Sequence, residues 1–464
     1  MRRRAARDAP EAPAGALRDD SSPVEAAAAQ ESAAAAPTAD AGLEAPAAPA
    51  APASYFLVRI LFLRLLGLVF LAAFLGALLQ NIALLGSRGL VPACAAAGLP
   101  AAPPADLAEL RLRLRALAER PSLFLLFGCS DDALAAVALA GSAGALVPLL
   151  RGALNVPLLL LLWVVQLSFV NLGSAWYAFG WETQLLETSL WAAVTLPLSP
   201  LSLRRVDAAL APSGVAFALI ARMLAAKIYL GAGLIKIRGD ECWRDVWGAN
   251  CMLFHYETQP NPLPTSWFFH HTPGLFHSLE TVTNHVVELL VPFLLAPFLP
   301  RVARLAAGFA LLSFQAVLIG SGNLSFLNWL TMLPGLLSFD DRAVGFLFSR
   351  SMRAQAAGAA LEARELGDSL WRALQWRRAS APAPAPAPAP ASRLRLAGFV
   401  ARSALAAAVF GAYTHLQAPI ISNLLSSRQA MNRSFGAWHL SNTYGAACTL
   451  TLTLTLTRST RQLT

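Results

Sequence analysis

Residues 242–288 read CWRDVWGANCMLFHYETQPNPLPTSWFFHHTPGLFHSLETVTNHVVE, and they gather two of the five cysteines and five of the seven histidines. Three chemistries suit such a stretch: a metal site, a loop braced by a disulfide, or a surface that another protein recognises. The metal reading has His255, Glu257, His270, His271, His277, Glu280, His285 and Glu288 to work with. His277/Glu280 and His285/Glu288 are i, i+3 pairs, which share one face of any helix that forms there. Di-iron bundles use the opposite order, Glu-x-x-His, and the paired histidines of a zinc protease helix are missing. Cys242 and Cys251 also lie too far apart for a zinc knuckle. Histidines satisfied by hydrogen bonds are therefore expected, with no metal and no cofactor.

The cysteines fit a bridge better. In an oxidising compartment Cys242 and Cys251 would close a loop of about ten residues. Cys94, Cys129 and Cys448 fall near the same face, so one thiol of the odd total must stay free or pair elsewhere. The segment YETQPNPLP has three prolines within five residues and cannot be helix interior. Aromatic side chains border it: Trp243, Trp247, Phe254, Tyr256, Trp267, Phe268 and Phe269. Such a surface suits either a membrane interface or a protein partner.

The elements that must position these residues are greasy. The 464-residue chain is 56% hydrophobic and 14% charged, well below the charged fraction of a water-soluble globule. Apolar runs recur near 56–79, 123–149, 154–175, 185–202, 214–236, 284–299, 305–321, 324–339 and 396–414, most of them near bilayer length. The expected fold is an all-α polytopic membrane protein of five to nine transmembrane helices. Its net charge of +9 comes from arginines scattered between apolar runs, as on cytosolic flanks of membrane helices. That distribution argues against nucleic acid as a partner.

Placing the N-terminal arginines in the cytosol and threading all nine runs puts Arg151, Arg204, Arg205, Arg301, Arg304 and residues 350–395 on the cytosolic side. The positive-inside rule asks for this. The organisation read from the chain follows. Residues 1–54 form a disordered cytosolic Ala/Pro-rich tract, with no cleaved signal peptide. Transmembrane helices fill 55–237, a lumenal Cys/His/aromatic loop fills 238–283, and further helices fill 284–339. A cytosolic connection with a Pro-Ala spacer spans 340–395, the last helix spans 396–414, and residues 415–464 are a lumenal C-terminal segment ending in a Thr/Leu alternation. Asn432-Arg-Ser in that segment is a glycosylation sequon, whereas Asn323-Leu-Ser sits too close to a helix end to be reached. Within the helices, Lys227 is expected to pair with a carboxylate and Lys236 to snorkel to the interface. Nucleophile-elbow, Walker and dinucleotide fingerprints are absent.

The phrases GAGLIKIRGDECWRD, FHYETQPNPLP, NHVVELLVPF, FQAVLIGSGNLSFLNWLTMLP, WYAFGWETQLLET and NLLSSRQAMN closely resemble the lipase maturation factors, from about Tyr55 to Tyr444. The resemblance implies a non-enzymatic, multi-pass protein of the endoplasmic reticulum membrane. It would assist folding, dimer assembly and secretion of partly folded lipases of the lipoprotein lipase and hepatic lipase type, alongside folding machinery. The family is usually drawn with five spans, N-terminus cytosolic and C-terminus lumenal. WGAN (residues 247–250) resembles an insertion. Relatives continue after NTYGA into a lumenal region thought to engage the lipase, where this chain turns to Thr/Leu repeats: either the sequence is an incomplete gene model or isoform, or the product lacks that client-binding end. The alternative is an integral membrane enzyme using the lumenal His/Glu cluster as a metal or acid/base site.

Overall fold

The computed structural model describes residues 53–199, 206–239, 241–247, 251–259, 261–376 and 393–445. The N-terminal tract up to residue 52, the Arg204–Arg205 pair, the Pro-Ala spacer and the Thr/Leu tail lie outside the described residues. Among the described residues the regular structure is helical, with one isolated bridge between Ser434 and Asn442.

Thirteen helices carry the account. They are α1 (Phe56–Leu85), α2 (Asp131–Arg151), α3 (Val156–Leu172), α4 (Gly180–Ala192), α5 (Ala211–Arg238), α6 (Cys251–Glu257) and α7 (Pro264–His270). There follow α8 (Gly274–His285), α9 (Arg301–Ser321), α10 (Leu327–Leu336), α11 (Arg350–Trp376), α12 (Arg393–Leu416) and α13 (Ala418–Leu425). Local chemistry explains the boundaries. Asp131 and Asp132, expected inside an apolar run from 123, instead occupy the first turn of α2, and Ser130 caps it by accepting from the Ala133 N–H. Acidic side chains are stable there, at the positive end of the helix dipole. Gly152, at φ 60°, ends the helix in the left-handed conformation. Asn155 caps α3 in the same way, accepting from the Leu158 N–H at 3.0 Å.

Contacts sort the helix ends into two groups. At one end, which we call the arginine end, the Asp341 carboxylate caps α1 by accepting from the N–H groups of Phe56, Leu57 and Val58. Beside it Asp340 takes both Arg301 and Arg304 from the start of α9. Arg59 donates to the Thr195 carbonyl beyond α4, and the Val156 N–H donates to the Pro197 carbonyl. At the other end, the loop end, Ser87 after α1 donates to Asp131 of α2. Tyr177 between α3 and α4 meets Asn81 of α1, Lys236 of α5 meets Asn284 of α8, and Ser266 of α7 donates to the Ser321 carbonyl of α9.

Successive segments therefore run back and forth between these ends. Five helical spans are long and apolar enough to cross a membrane by themselves: 56–85, 131–151, 208–238, 301–321 and 393–425. Four more segments traverse the bundle without meeting that length. α3 and α4 do so as 17- and 13-residue helices. The run 274–295 changes from α-helix to a π turn at Val286–Leu290 and a 3-10 turn at Val291–Leu295. α10 has only ten residues, about 15 Å of helix, yet Gly335 lies beside Leu312 and Phe339 beside Gly308, so it tracks α9 in depth. Nine traverses within an all-α bundle result. Its closest seam joins α1 and α2, where a Cβ on Gly67 would stand 2.5 Å from the Leu149 nitrogen, the small-residue packing that membrane helices use in place of a hydrophobic drive.

Candidate functional site

The loop end is built on two buried lysines. Lys236, in the last turn of α5, does not snorkel. Its Nζ lies 2.7 Å from Glu288 Oε1 and 2.8 Å from Asn284 Oδ1, and 4.8 Å from the centre of the Trp243 ring. A carboxylate and an amide within reach hold the ammonium inside, where solvent access would otherwise be needed. Lys227, two to three turns deeper, pairs with Glu187 of α4 and with Gln417 Oε1 at 2.9 Å.

Over Lys236 sits the Cys/His/aromatic stretch. Cys242 and Cys251 are disulfide-bonded, with Cα atoms 4.8 Å apart, so the short turn at Glu241–Arg244 is tied to the start of α6. Trp243 is only 6% exposed and His285 Nε2 lies 2.7 Å from its carbonyl oxygen. Tyr256, 5% exposed, donates to Glu280 Oε1 at 2.6 Å. Glu280 Oε2 in turn lies 2.9 Å from His277 Nδ1, and His277 Nε2 lies 3.2 Å from the His270 carbonyl oxygen. His255 meets Gln259 at 3.3 Å, and Gln259 donates to the Ser321 carbonyl. Burial, helped by the nearby Lys236 charge, holds the His255 imidazole well below its ordinary value, to about 4. Burial also pushes the Tyr256 phenol up, and the Glu280 carboxylate adds to this.

The Tyr256, His277 and His285 rings thus fasten α8 to α6, α7 and the Glu241–Arg244 turn. His277 is wholly buried, with protein partners at both ring nitrogens, so no substrate reaches it. Among the described residues no group of three or more His, Cys, Asp and Glu is placed to hold a metal ion.

The seven aromatics divide. Trp243 and Tyr256 point inward, and Phe269 is half-buried, stacked on Tyr256 at 5.8 Å. Trp247, Phe254, Trp267 and Phe268 face outward. Asn432 is exposed, in the left-handed region at φ 51°, and Asn323 is partly buried just past α9.

Two features escaped the sequence reading. Cys94 and Cys129 are joined, with Cα atoms 5.6 Å apart, and brace the α1–α2 connection. Their 35-residue separation offers no local signal. The second is a return of the chain after α12 into the bundle's mouth. Tyr444 and Asn442 both donate to Glu187 Oε2, at 2.7 and 3.1 Å. Gln429 donates to the Gly231 carbonyl, Arg238 holds Gln429 and the Leu424 carbonyl, and Trp438 stacks on Trp163 at 6.2 Å. Residues 417–445 are therefore a lid stitched onto the loop end.

The bundle and its bonded-loop face define a multi-pass, all-α membrane protein. Residues 57–346 match the family model described as the lipase maturation factor transmembrane domain. The chain belongs to the lipase maturation factor family. It is 40% identical to lipase maturation factor 1 of Homo sapiens over 400 residues, covering 86% of this chain and 65% of that protein. It is 38% identical to lipase maturation factor 1 of Mus musculus over 85% of this chain and 63% of the relative. With lipase maturation factor 2 of Homo sapiens it shares 33% identity over 62% of its own length and 40% of that protein's. The chain thus spans just under two thirds of the first of these relatives. No solved structure matches it.

Proposed function

We propose that this chain is an assembly factor of the endoplasmic reticulum membrane that promotes folding, dimer assembly and secretion of dimeric lipases of the lipoprotein lipase and hepatic lipase type. The match of residues 57–346 to the family carries the reading. The arginine end faces the cytosol and the loop end the lumen, together with folding machinery. Arg59, Arg151, Arg301, Arg304 and Arg350 belong to helix ends or turns on the Tyr55 side, and Arg222, inside α5, bonds the Tyr55 hydroxyl and the Leu337 carbonyl there, in keeping with the positive-inside rule. Arg111, Arg115 and Arg120 in the long α1–α2 connection run against that count. Neighbouring Arg113 is neutralised by Glu109. Both disulfides belong to the loop end, which suits an oxidising compartment.

The client meets the loop end non-enzymatically. A folding factor needs an apolar surface that a non-native client occupies and then leaves for its own dimer interface. Trp247, 72% exposed, and Phe254, 45% exposed, offer that surface at the loop end. In cells lacking their own factor, the chain should restore secretion of active lipoprotein lipase, alone or extended by a family-type C-terminal region. Failure of both forms, with the protein correctly inserted, would overturn the proposal. An enzyme would instead lose activity abruptly on a single His→Ala change among His255, His270, His271, His277 and His285.

A further inference from the structure

The helix α8 is amphipathic the wrong way round for water. His277, Ser278, Thr281, Asn284 and, one turn on, Glu288 are buried against the protein, while Leu275, Leu279, Val282, Val286, Leu290 and Phe293 are exposed. The exposed set recurs at steps of 4, 3, 4, 4 and 3 residues, one continuous helical stripe. A helix of a water-facing loop buries its apolar face and wets its polar one. This one does the reverse, and every ionisable group between Gly274 and Leu299 is turned inward: His277 and Glu280 to each other, His285 to the Trp243 carbonyl, Glu288 to Lys236.

Length points the same way. Residues 284–299 alone fall short of the roughly 20 helical residues a bilayer crossing requires. Counted from Gly274 to Leu295, the consecutive α-helix, π turn and 3-10 turn hold 12, 5 and 5 residues, together about the number a crossing requires. Beside it, α9 exposes Val302, Phe309 and Val317, also a helical stripe. α7 caps the end of α9, Thr265 donating to the Gly320 carbonyl and Ser266 to that of Ser321. From that cap Trp267 and Phe268 project outward, 61% and 67% exposed.

We propose that this face is seated in lipid: α8 is the outer half of a membrane-crossing segment that begins at Gly274, and α7 anchors it through Trp267 and Phe268 in the interfacial layer of the same leaflet. The occupant is bilayer phospholipid, because the exposed stripe is continuous from Phe293, within the bundle's crossing segment, to Leu275. Aromatic side chains gather at that depth of a bilayer. The expected loop 238–283 then shortens at its far end, and Trp247 and Phe254 remain for a protein client.

Photo-crosslinking tests this in the full chain, reconstituted in phosphatidylcholine vesicles carrying a labelled phospholipid. Benzoylphenylalanine is placed singly at positions 268, 279, 293, 254 and 257. Position 293 is the lipid control, and 257 is an exposed polar control. Lipid adducts at 268 and 279 should come within about twofold of those at 293, with little at 254 and 257. Labelling at 293 with none at 279 would overturn the proposal, as would capture of a co-expressed lipase at 268 in place of lipid. Either result leaves the lipase-directed role itself standing.

Discussion

Lys227 of α5 and Glu187 of α4 form an ion pair in the interior of the bundle, and the second oxygen of the same carboxylate accepts hydrogen bonds from Tyr444 and Asn442. One buried carboxylate thus joins two membrane helices to a segment more than 250 residues further along the chain. Removing one partner of such a pair leaves an uncompensated charge, which costs about 3–5 kcal/mol. Glu187→Ala and Lys227→Ala should each lower the thermal unfolding temperature in detergent and expose residues 417–445 to protease. The double change Glu187→Leu/Lys227→Met should recover much of the loss. Equal damage from the double and single variants would contradict the pairing.

Gly231 tests the lid from the other side. A methyl group there would stand 2.4 Å from the Tyr444 carbonyl oxygen. In an isolated helix Gly→Ala stabilises by about 1 kcal/mol. Here Gly231→Ala should destabilise and loosen the 429–445 segment, read by proteolysis and unfolding temperature. Gly411→Ala, which has open space around it, should stabilise or leave matters unchanged.

The two disulfides should differ in weight. They close separations of 35 and 9 residues, and the chain-entropy model gives the longer loop about 1 kcal/mol more. Cys94→Ala/Cys129→Ala should therefore lower stability more than Cys242→Ala/Cys251→Ala. Non-reduced peptide mapping should recover 94–129 and 242–251 as linked pairs.

His255 carries a pH dependence with a fixed sign. Its folded value is held at about 4 against an ordinary 6.5, so between those limits the unfolded chain binds the proton and the folded chain does not. Stability is then fully present above about pH 6.5 and falls as pH drops towards 4. His439 in the lid, lowered by burial, contributes in the same direction. His255→Gln should flatten the slope of unfolding temperature against pH across that window. An unchanged slope would remove His255 from the account.

Much of this architecture was legible in the sequence. Of the nine apolar runs expected, five correspond to helices long and apolar enough to cross a membrane and four to shorter segments, because hydropathy reports which segments leave water. It did not report where helices break. The π and 3-10 turns after His285 and the ten-residue α10 depend on neighbours in the bundle, not on their own composition. Lys227 paired as expected, yet Lys236 did too, because Glu288 reaches it only once α8 packs on α5. Trp243 looked like surface in a loop rich in aromatics, and it is buried because Lys236 and His285 pull it in. The Glu187–Tyr444 contact was illegible for a simpler reason: 257 residues separate its partners.

The side of the membrane on which the Cys242–Glu257 stretch lies decides the rest. A protease site inserted between Asp245 and Trp247, in the full chain in sealed microsomes, measures it directly. A lumenal placement keeps this site intact to added protease until detergent opens the vesicles. Cleavage in sealed vesicles would contradict it.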